Sequence, residues 1–176
     1  MSTKAQQTLV RAFNELVLER RYEDIHIADI IKRADVSRST FYQHFHNKEE
    51  ILRNNLRAVF IPIAEACVGT GSQQALTQVL DHFADVRSLA VAYFASPLSQ
   101  VMVDLLGQLI NERLPSAGSG ASASIPDSLV SLQVAESTLG LVKGWLRHPE
   151  FKVDSSAIAD QIMTSSNAVL GAGCKE

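Results

Sequence analysis

The stretch from Val36 to Phe45, VSRSTFYQHF, limits the possible folds of this chain more than any other. Ser37 is a good helix N-cap, because its hydroxyl can accept a hydrogen bond from a free backbone N–H at the helix start. Phe41 and Phe45 are four residues apart, so both rings lie on one side of a helix. The stretch therefore predicts a short helix with an aromatic face.

The other side of this predicted helix is polar, and no acidic residue occurs between Val36 and Asn47. Its side chains are uncharged hydrogen-bonding groups or cations: Arg38, Ser39, Thr40, Tyr42, Gln43 and His44. Such a helix suits the recognition helix of a helix-turn-helix, which reads base edges in the major groove of DNA. A solvated face on an ordinary helix is the alternative, and this stretch alone does not decide between the two.

The residues upstream predict the rest of a helix-turn-helix domain. Thr3 and Gln6 form a capping box, T-x-x-Q, that opens a first helix. That helix has an apolar stripe at helical spacing, made by Leu9, Ala12, Phe13, Leu16 and Val17. A second, shorter helix has the stripe Ile27, Ile30, Ile31 and Ala34, and Asp35 ends it. Two short helices joined by a tight turn, with a third as support, form this motif.

A long fourth helix follows the motif and connects it to the remainder of the chain. Asn47 and Glu50 form a second capping signature, N-x-x-E, and the apolar helical spacing then continues to Cys67. Pro62 lies inside this helix and predicts a kink or a break, because proline cannot donate the helical hydrogen bond. Gly69 to Gly71 predicts the end of the helix.

The remaining sequence predicts further helices and no strand. Apolar residues recur at helical spacing within 75–86, 89–94, 98–110, 128–147 and 155–170. Eleven of the thirteen residues in 115–127 are Pro, Gly, Ser or Ala, which predicts a flexible linker. We predict an all-α fold of about nine helices. Residues 1–46 would form the DNA-binding domain, and residues 47–176 a helical ligand-binding and dimerisation domain.

The charge distribution agrees with a DNA-binding N-terminus. The chain has a net charge of −3, but residues 1–57 contain ten Lys and Arg against eight Asp and Glu. The rest contains six against eleven, so a mildly basic end is joined to an acidic body. The two cysteines have no paired spacing, which indicates a reducing cytoplasm. No secretory signal or membrane span is apparent, so we expect a soluble protein.

The sequence offers no pattern of an enzyme or of a cofactor site. It has no G-x-S-x-G, no Gly-rich phosphate loop and no activated cysteine pattern. His44 and His46 lack a third ligand at the spacing of a zinc site. We therefore expect no catalytic residues, no metal and no cofactor.

The N-terminal third, over about residues 5–57, resembles the tetracycline-repressor (TetR) family of bacterial transcription regulators. Many separate positions agree in order and spacing: Tyr22 to Ile25, Asp29–Ile30, Lys32 to Ala34, Val36–Ser37, Thr40 to Tyr42, His44–Phe45 and Lys48 to Leu52. In the C-terminal part, Gly144 to Leu146 with Phe151–Lys152 looks like the dihydroxyacetone-kinase-regulator-like branch of that family.

Three positions depart from the family pattern. His26 stands where Thr or Ser usually caps the second helix and touches phosphate. Asp35 stands in the turn where Gly is usual, although Asp tolerates the left-handed conformation better than most residues. Ala28 replaces a long polar residue. These differences predict an unusual DNA affinity or site preference.

The resemblance implies roles for the polar residues of the third helix. Tyr42 and Lys48 would contact phosphate, assisted by Thr40 and His44. The side chains nearest the base edges would be Arg38, Ser39 and Gln43. Arginine can bind guanine with two hydrogen bonds, and glutamine can do the same with adenine.

The resemblance also implies a homodimer on double-stranded DNA with an inverted-repeat operator. The last two long helices of each subunit would form the interface, and the candidate residues are Ser137, Gly140, Leu141, Gly144, Ile158 and Ile162. A small-molecule effector would bind in the body, where the candidates are Phe60, Phe83, Tyr93, Phe94, Met102 and Trp145. For each of these six, ordinary core packing is the competing interpretation.

Two functions fit these features. The first is a dimeric transcriptional regulator, a repressor released by a small, mainly apolar ligand, which requires an enclosed apolar pocket. The alternative is a DNA-binding protein whose body binds a protein partner, in an architectural or division-control role. It requires an exposed apolar patch away from the dimer face.

Overall fold

A computed structural model describes residues 4–114 and 125–172 of the 176-residue chain. These residues form nine α-helices and two short 3-10 turns, with no strand among them, as predicted. The helices are α1 Lys4–Glu19, α2 Ile27–Ala34, α3 Arg38–His44, α4 Lys48–Cys67, α5 Gln73–Asp85, α6 Arg87–Phe94, α7 Leu98–Asn111, α8 Asp127–Arg147 and α9 Ser155–Ala172.

Two sequence predictions fall wholly or mostly outside the described residues. Thr3 of the first capping box is one, and residues 115–124 of the proposed linker are the other. The linker prediction also ends one residue too late. Asp127 is the first residue of α8, and Pro126 precedes it in an extended conformation as the N-cap.

Helices α1, α2 and α3 pack into one small domain. The apolar stripe of α1 is buried as its spacing predicts, with Leu9 and Phe13 fully inaccessible to solvent. Helix α2 contributes Ile30 and helix α3 contributes Phe41 to the same core. Burying these rings and branched side chains is what holds three short helices together, because helices of this length are marginal alone.

Helix α4 is one continuous helix through Pro62, so of the predicted kink or break, the break is absent. Proline removes the hydrogen bond to the carbonyl of Ala58, which lies on the exposed side of α4, where water can replace it. Phe60 and Ile63, on either side of the proline, are fully buried and hold the helix in place. The helix ends as predicted, with Gly69 in the left-handed conformation at φ 76°.

The second half of the chain packs around α4. Helix α7 lies between α4 and α8, while α9 covers α5 and α8 and also reaches α4. Helix α6 contacts α1, so the body touches the first three helices through α6 as well as through α4. Among the described residues, no single helix is long and apolar enough to cross a membrane. Helices α6 and α7 pass that test only together, across a bend of 95°.

Candidate nucleic-acid interface and effector cavity

Helix α3 begins with a well-formed cap. The backbone N–H of Thr40 donates a hydrogen bond to Oγ of Ser37 over 3.0 Å, as the sequence predicted. The Ser37 hydroxyl also lies 2.8 Å from the hydroxyls of both Ser39 and Thr40. These contacts fix the first turn of α3, which is the turn whose residues meet base edges in a helix-turn-helix.

The aromatic side of α3 is buried and its polar side faces solvent. Phe41 and Phe45 are fully buried, with ring centroids 6.2 Å apart. Of the six predicted residues on the polar side, Arg38, Ser39, Tyr42 and Gln43 are exposed, whereas Thr40 and His44 are half-buried. The helix therefore has the two faces that its sequence predicted.

Arg38 and Tyr42 form one unit on the exposed face. The guanidinium carbon of Arg38 lies 5.4 Å from the centre of the Tyr42 ring, and Nη2 donates to the Tyr42 hydroxyl over 3.4 Å. This stacking limits the rotamers of both side chains, and an arginine ordered in advance loses less entropy on binding.

The turn between α2 and α3 is formed by Asp35 in the left-handed conformation, with φ 51° and ψ 50°. The N–H of Val36 donates to the carbonyl of Ile31 over 3.3 Å and closes the end of α2. Asp thus occupies the position and the conformation in which glycine is usual. At the other end of α2, the N–H of His26 donates to the carboxylate of Asp29 over 2.9 Å.

Lys48 is held more firmly than the sequence suggested. Its ammonium donates to the carbonyl oxygens of Tyr22 and Ile25, over 2.7 Å and 2.9 Å, and lies 3.9 Å from the centre of the Tyr22 ring. Burial lowers the pKa of Lys48, while nearby acidic groups, of which Glu23 has the largest effect, oppose this shift. Lys48 therefore joins the start of α4 to the connection between α1 and α2. The spacing of residues in the sequence did not predict this structural role.

The N-terminus of α4 is capped as predicted, with an addition. The N–H of Glu50 donates to Oδ1 of Asn47 over 2.8 Å. The carboxylate of Glu50 accepts from the backbone N–H of His46 over 2.6 Å and lies 3.0 Å from its ring Nδ1. The backbone hydrogen bond from His46 is the main reason why the pKa of Glu50 is lowered.

A cavity of about 260 Å³ lies where α4, α5, α6 and α7 meet α1. Four predicted pocket residues line it, namely Phe83, Tyr93, Phe94 and Met102. Phe60 is fully buried and is not part of this lining, so in this structure it is a core residue. Trp145 lies elsewhere and donates its indole N–H to the carbonyl of Val153 over 2.8 Å.

Three polar residues of the cavity were missed from the sequence: Asn14, Asn55 and His82. The hydroxyl of Tyr93 donates to Oδ1 of Asn14, and the Tyr93 ring stacks on Phe13, with centroids 6.4 Å apart. Burial raises the pKa of Tyr93 far above its usual range, so this hydroxyl stays protonated. The only signal in the sequence was Asn14 directly after the apolar pair Ala12–Phe13 of α1.

The predicted dimer residues separate into two groups. Ser137 and Gly140 of α8 are exposed, and Leu141 and Gly144 are half-buried. An added Cβ at Gly140 or at Gly144 would meet no atom within 4 Å. Ile158 and Ile162 do not lie on a free surface, because both point into the core of the chain itself and are 6% and 0% exposed. Their helical spacing correctly indicated an apolar side of α9, and this side packs on α5 and α8. A periodic pattern alone cannot distinguish such a core-facing side from a dimer face.

In the described part of the chain, no group of three His, Cys, Asp or Glu side chains is placed to hold a metal ion. The interface has only hydrogen-bonding groups and cations to offer, and these suit phosphate and base edges.

Residues 9–54 match the family model for bacterial regulatory proteins of the tetR family. Over 47 residues, 27% of this chain, the sequence is 38% identical to the dhaKLM operon transcriptional activator DhaS of Lactococcus lactis. That match covers 25% of DhaS, so this chain spans a quarter of the length of this curated relative.

Solved structures share the fold over nearly the whole chain. A TetR regulator from Streptococcus agalactiae superposes with a TM-score of 0.56 at 23% identity, covering 93% of both chains. Thermus thermophilus FadR, a TetR-family repressor in complex with lauroyl-CoA, gives 0.54 at 19% identity, covering 97% of this chain and 95% of its own. A structure of DhaS gives 0.52 at 17% identity, covering 96% and 97%.

Identities this low show the fold alone, whereas the family model identifies the N-terminal segment. The segment 9–54 matches the model of the TetR family, and the described chain has the fold seen in TetR-family transcriptional regulators. The relatives named here are transcriptional regulators.

Proposed function

We propose that this chain is a homodimeric transcriptional regulator that binds an inverted-repeat operator and responds to a small, mainly apolar ligand. The observation that carries the proposal is the exposed, acid-free face of α3, held from behind by the buried rings of Phe41 and Phe45. An anchored helix with Arg38, Ser39 and Gln43 on its free side can enter a major groove without electrostatic repulsion from phosphate.

The proposed contacts divide by chemistry. Arg38, Ser39 and Gln43 read bases, while Tyr42 and Lys48 contact phosphate with Thr40 and His44 beside them. The Tyr42 hydroxyl and the N-terminus of α4, where Lys48 lies, are both suited to an anion. Lys48 has three N–H donors and uses two of them inside the domain, so one donor is left for phosphate.

The proposed dimer pairs α8 and α9 of one subunit with the same helices of a second copy. The support is the row of small residues Ser137, Gly140 and Gly144 on the outer side of α8, with open space in front of both glycines. Small residues allow helix backbones to approach closely, and a two-fold dimer would present two recognition helices to two half-sites.

The proposed effector site is the cavity lined by Phe83, Tyr93, Phe94 and Met102. Its lining is mainly apolar and contains no Lys, Arg, Asp or Glu. Thermus thermophilus FadR, a repressor with a similar fold, forms a complex with lauroyl-CoA, which supports a ligand-responsive role for this chain. We propose repression with release by ligand. Similarity to the dihydroxyacetone-kinase-regulator-like branch stays a prediction that rests on Gly144 to Leu146 and Phe151–Lys152. DhaS, whose N-terminal segment is similar to this chain, is an activator.

The alternative, a body that binds a protein partner, has less support. Large exposed apolar side chains of the described body are Ile125 and Leu129 at the start of α8, and Phe151 and Val153 after its end. Helix α8 has 21 residues and is therefore about 30 Å long, so these two pairs do not form one patch.

Selection from a pool of random DNA duplexes tests the proposal. The purified protein is expected to retain a family of duplexes that share an inverted repeat. An Arg38→Ala variant is expected to retain a family in which at least one base position of each half-site is relaxed. Retention without any shared motif, abolished by moderate salt, would favour the architectural alternative.

A further inference from the structure

The cavity has an unusual wall, because one of its residues belongs to the DNA-binding domain. Asn14 is on α1, and α1 packs directly against α2 and α3. Helix α6, which provides Tyr93, forms the neighbouring part of the lining. A ligand in this cavity therefore touches both the body and the helix that supports the recognition helix.

The size of the cavity limits the ligand. A cavity of about 150 Å³ lined by apolar side chains holds one benzene ring. This cavity of about 260 Å³ is larger than that but below the range of about 300–1,000 Å³ that holds drug-sized molecules. One ring with a short substituent, or an aliphatic molecule of similar volume, fits the space.

The charge of the lining limits the ligand further. No carboxylate, ammonium or guanidinium lines the cavity. Its one imidazole belongs to His82, which is an exposed residue, whereas Phe83, Phe94 and Met102 are nearly fully buried. A charged group placed among them would lose its hydration without gaining a partner. The ligand class is therefore uncharged.

The polar end of the cavity is the Tyr93–Asn14 contact. Tyr93 is 4% exposed, so its hydroxyl depends on a partner inside the protein, and that partner is Oδ1 of Asn14. Asn14 is only half-buried and also lines an open, amide-rich groove between α1 and α4, with Asn54 and Asn55. If the contact breaks, bulk water can solvate Asn14 directly, whereas Tyr93 can take a new partner only from the cavity side.

From this asymmetry we infer that the effector is a small uncharged molecule with one hydrogen-bond acceptor, which takes the Tyr93 hydroxyl from Asn14 and so removes one of the contacts that hold α1 against α6. The effect of the ligand on DNA binding rests on the proposed function. The binding of the ligand concerns the cavity alone. A ligand without an acceptor fills the same space but leaves the Tyr93–Asn14 contact in place.

Three molecules of nearly equal shape test the ligand class: acetophenone, its hydrocarbon analogue α-methylstyrene, and benzoate. Binding is measured on the full chain without DNA, from the NMR signals of 13C-labelled methionine methyl groups. The methyl group of Met102 lines the cavity, and Met163 on α9 lies outside its lining and serves as an internal control. Acetophenone and α-methylstyrene are expected to shift Met102 and not Met163, and benzoate is expected to bind at least tenfold more weakly.

The variant Tyr93→Phe tests whether the hydroxyl of Tyr93 donates a hydrogen bond to the acceptor of the ligand. It keeps the ring that stacks on Phe13 and removes only the hydroxyl. The preference for acetophenone over α-methylstyrene, expressed as a ratio of dissociation constants, is expected to fall by about 3- to 10-fold, which is the value of one hydrogen bond. An unchanged ratio would overturn the assignment of Tyr93.

A pair of matched variants on α6 tests the location. Ala90 lines the cavity, whereas Ala92 lies on another side of the same helix and lines a separate surface groove. Ala90→Leu is expected to abolish the shift of Met102, and Ala92→Leu is expected to preserve it. Equal effects of the two variants, or no response of Met102 to any of the three molecules, would contradict the assigned site.

The effect of the ligand on DNA binding is measured separately, on a duplex taken from the pool selection. Saturating acetophenone is expected to weaken DNA binding by the wild type and to have little further effect on Tyr93→Phe, which already lacks the Tyr93–Asn14 contact. Ligand binding to the wild type without any change in DNA affinity would overturn the coupling. Failure to select any duplex, with ligand binding intact, would overturn the proposed function and leave the ligand assignment standing.

Discussion

Arg38 and Lys48 are both cations of the proposed DNA surface, but the structure holds them in different ways. Arg38 is exposed and stacked on Tyr42, so its donors are available to a base. Lys48 is half-buried and already bound to two carbonyl groups. Losing either side chain should weaken DNA binding, and the two losses should differ in their dependence on sequence and salt.

Arg38→Ala is expected to cost about 1–3 kcal/mol on the selected site and to relax one base position, because a bidentate contact to guanine is lost. The measurement is fluorescence anisotropy on the selected site and on single-base variants of it. Equal losses on specific and random duplexes would contradict a base-reading role.

Lys48→Ala is expected to weaken binding to all duplexes similarly and to lower the slope of log affinity against log salt by about one. It should also reduce thermal stability, because the carbonyl groups of Tyr22 and Ile25 lose their donor. A Lys48→Ala protein with an unchanged melting temperature would show that these hydrogen bonds are not maintained in solution.

Tyr22 predicts a pH effect in the alkaline range. Its hydroxyl is buried and has no hydrogen-bond partner among the described residues, and burial raises its pKa to about 12. The unfolded phenol titrates near pH 10, so the neutral buried form stabilises the fold fully below about pH 10. That contribution is lost as the pH rises from about 10 towards 12.

The variant Tyr22→Phe has no hydroxyl to ionise and is expected to lose less stability than the wild type between pH 8 and pH 11. At neutral pH it should be as stable as the wild type or more so, because it removes a buried group without a partner. Urea midpoints at the two pH values measure both effects. A large loss of stability at pH 7 would indicate that the hydroxyl has a partner in solution.

At the scale of elements, the turn between α2 and α3 decides how the recognition helix is presented. Asp35 adopts the left-handed conformation there, at a cost to any residue with a Cβ. Asp offsets part of this cost better than most residues, whereas Ala cannot. Glycine has no such penalty but increases the entropy of the unfolded chain.

Asp35→Ala is therefore expected to destabilise the domain by about 1 kcal/mol, and Asp35→Gly to leave its stability within about 0.5 kcal/mol of the wild type. Both variants remove the same carboxylate, so a change in DNA affinity common to both reports the charge, and a difference between them reports the turn. Equal unfolding midpoints for the two variants would contradict a conformational role for this position.

The elements of the first domain could be predicted well, and those of the body less completely. Helix caps such as Ser37 and Asn47, and the paired rings Phe41 and Phe45, act locally, so their spacing in the sequence determines their geometry. The continuity of α4 through Pro62 depends instead on packing by α7 and α9, which have no local signature. The bonds of Lys48 to Tyr22 and Ile25 join residues more than twenty positions apart, and no periodic pattern predicts them.

In the whole molecule, the outer face of α8 is the surface on which the proposed dimer depends. Alanine at a helical position is about 0.8–1 kcal/mol better than glycine when nothing else is in contact. An added methyl at Gly140 or Gly144 meets no atom within 4 Å in the single chain. Gly140→Ala combined with Gly144→Ala should therefore stabilise an isolated subunit and disturb a closely packed dimer.

We expect the double variant to dimerise at least tenfold more weakly than the wild type in sedimentation equilibrium. Gly171→Ala is the control, because this residue also has open space around it but lies at the end of α9. A double variant that dimerises as tightly as the wild type and melts at a higher temperature would place the interface elsewhere.

The sequence indicates only part of the lining of the cavity. Phe83, Tyr93, Phe94 and Met102 could be proposed because the resemblance to the TetR family implied a pocket among the helices of the body. Asn14 could not, since it lies in the domain assigned to DNA and meets Tyr93 only through tertiary packing 79 residues along the chain. Likewise, Ile158 and Ile162 are buried because α5 and α8 pack against α9, and the sequence of α9 alone does not indicate these neighbours.

The central claim, a sequence-reading regulator that uses α3 on DNA, is tested most directly by one titration. The wild-type chain is titrated by fluorescence anisotropy with a selected inverted repeat and with a scrambled duplex of the same composition, at physiological salt. A regulator that reads sequence is expected to bind the inverted repeat at least about 1,000-fold more tightly, within the usual range for specific recognition. Equal affinities for the two duplexes, both falling as salt rises, would show that the chain binds phosphate alone and does not read sequence.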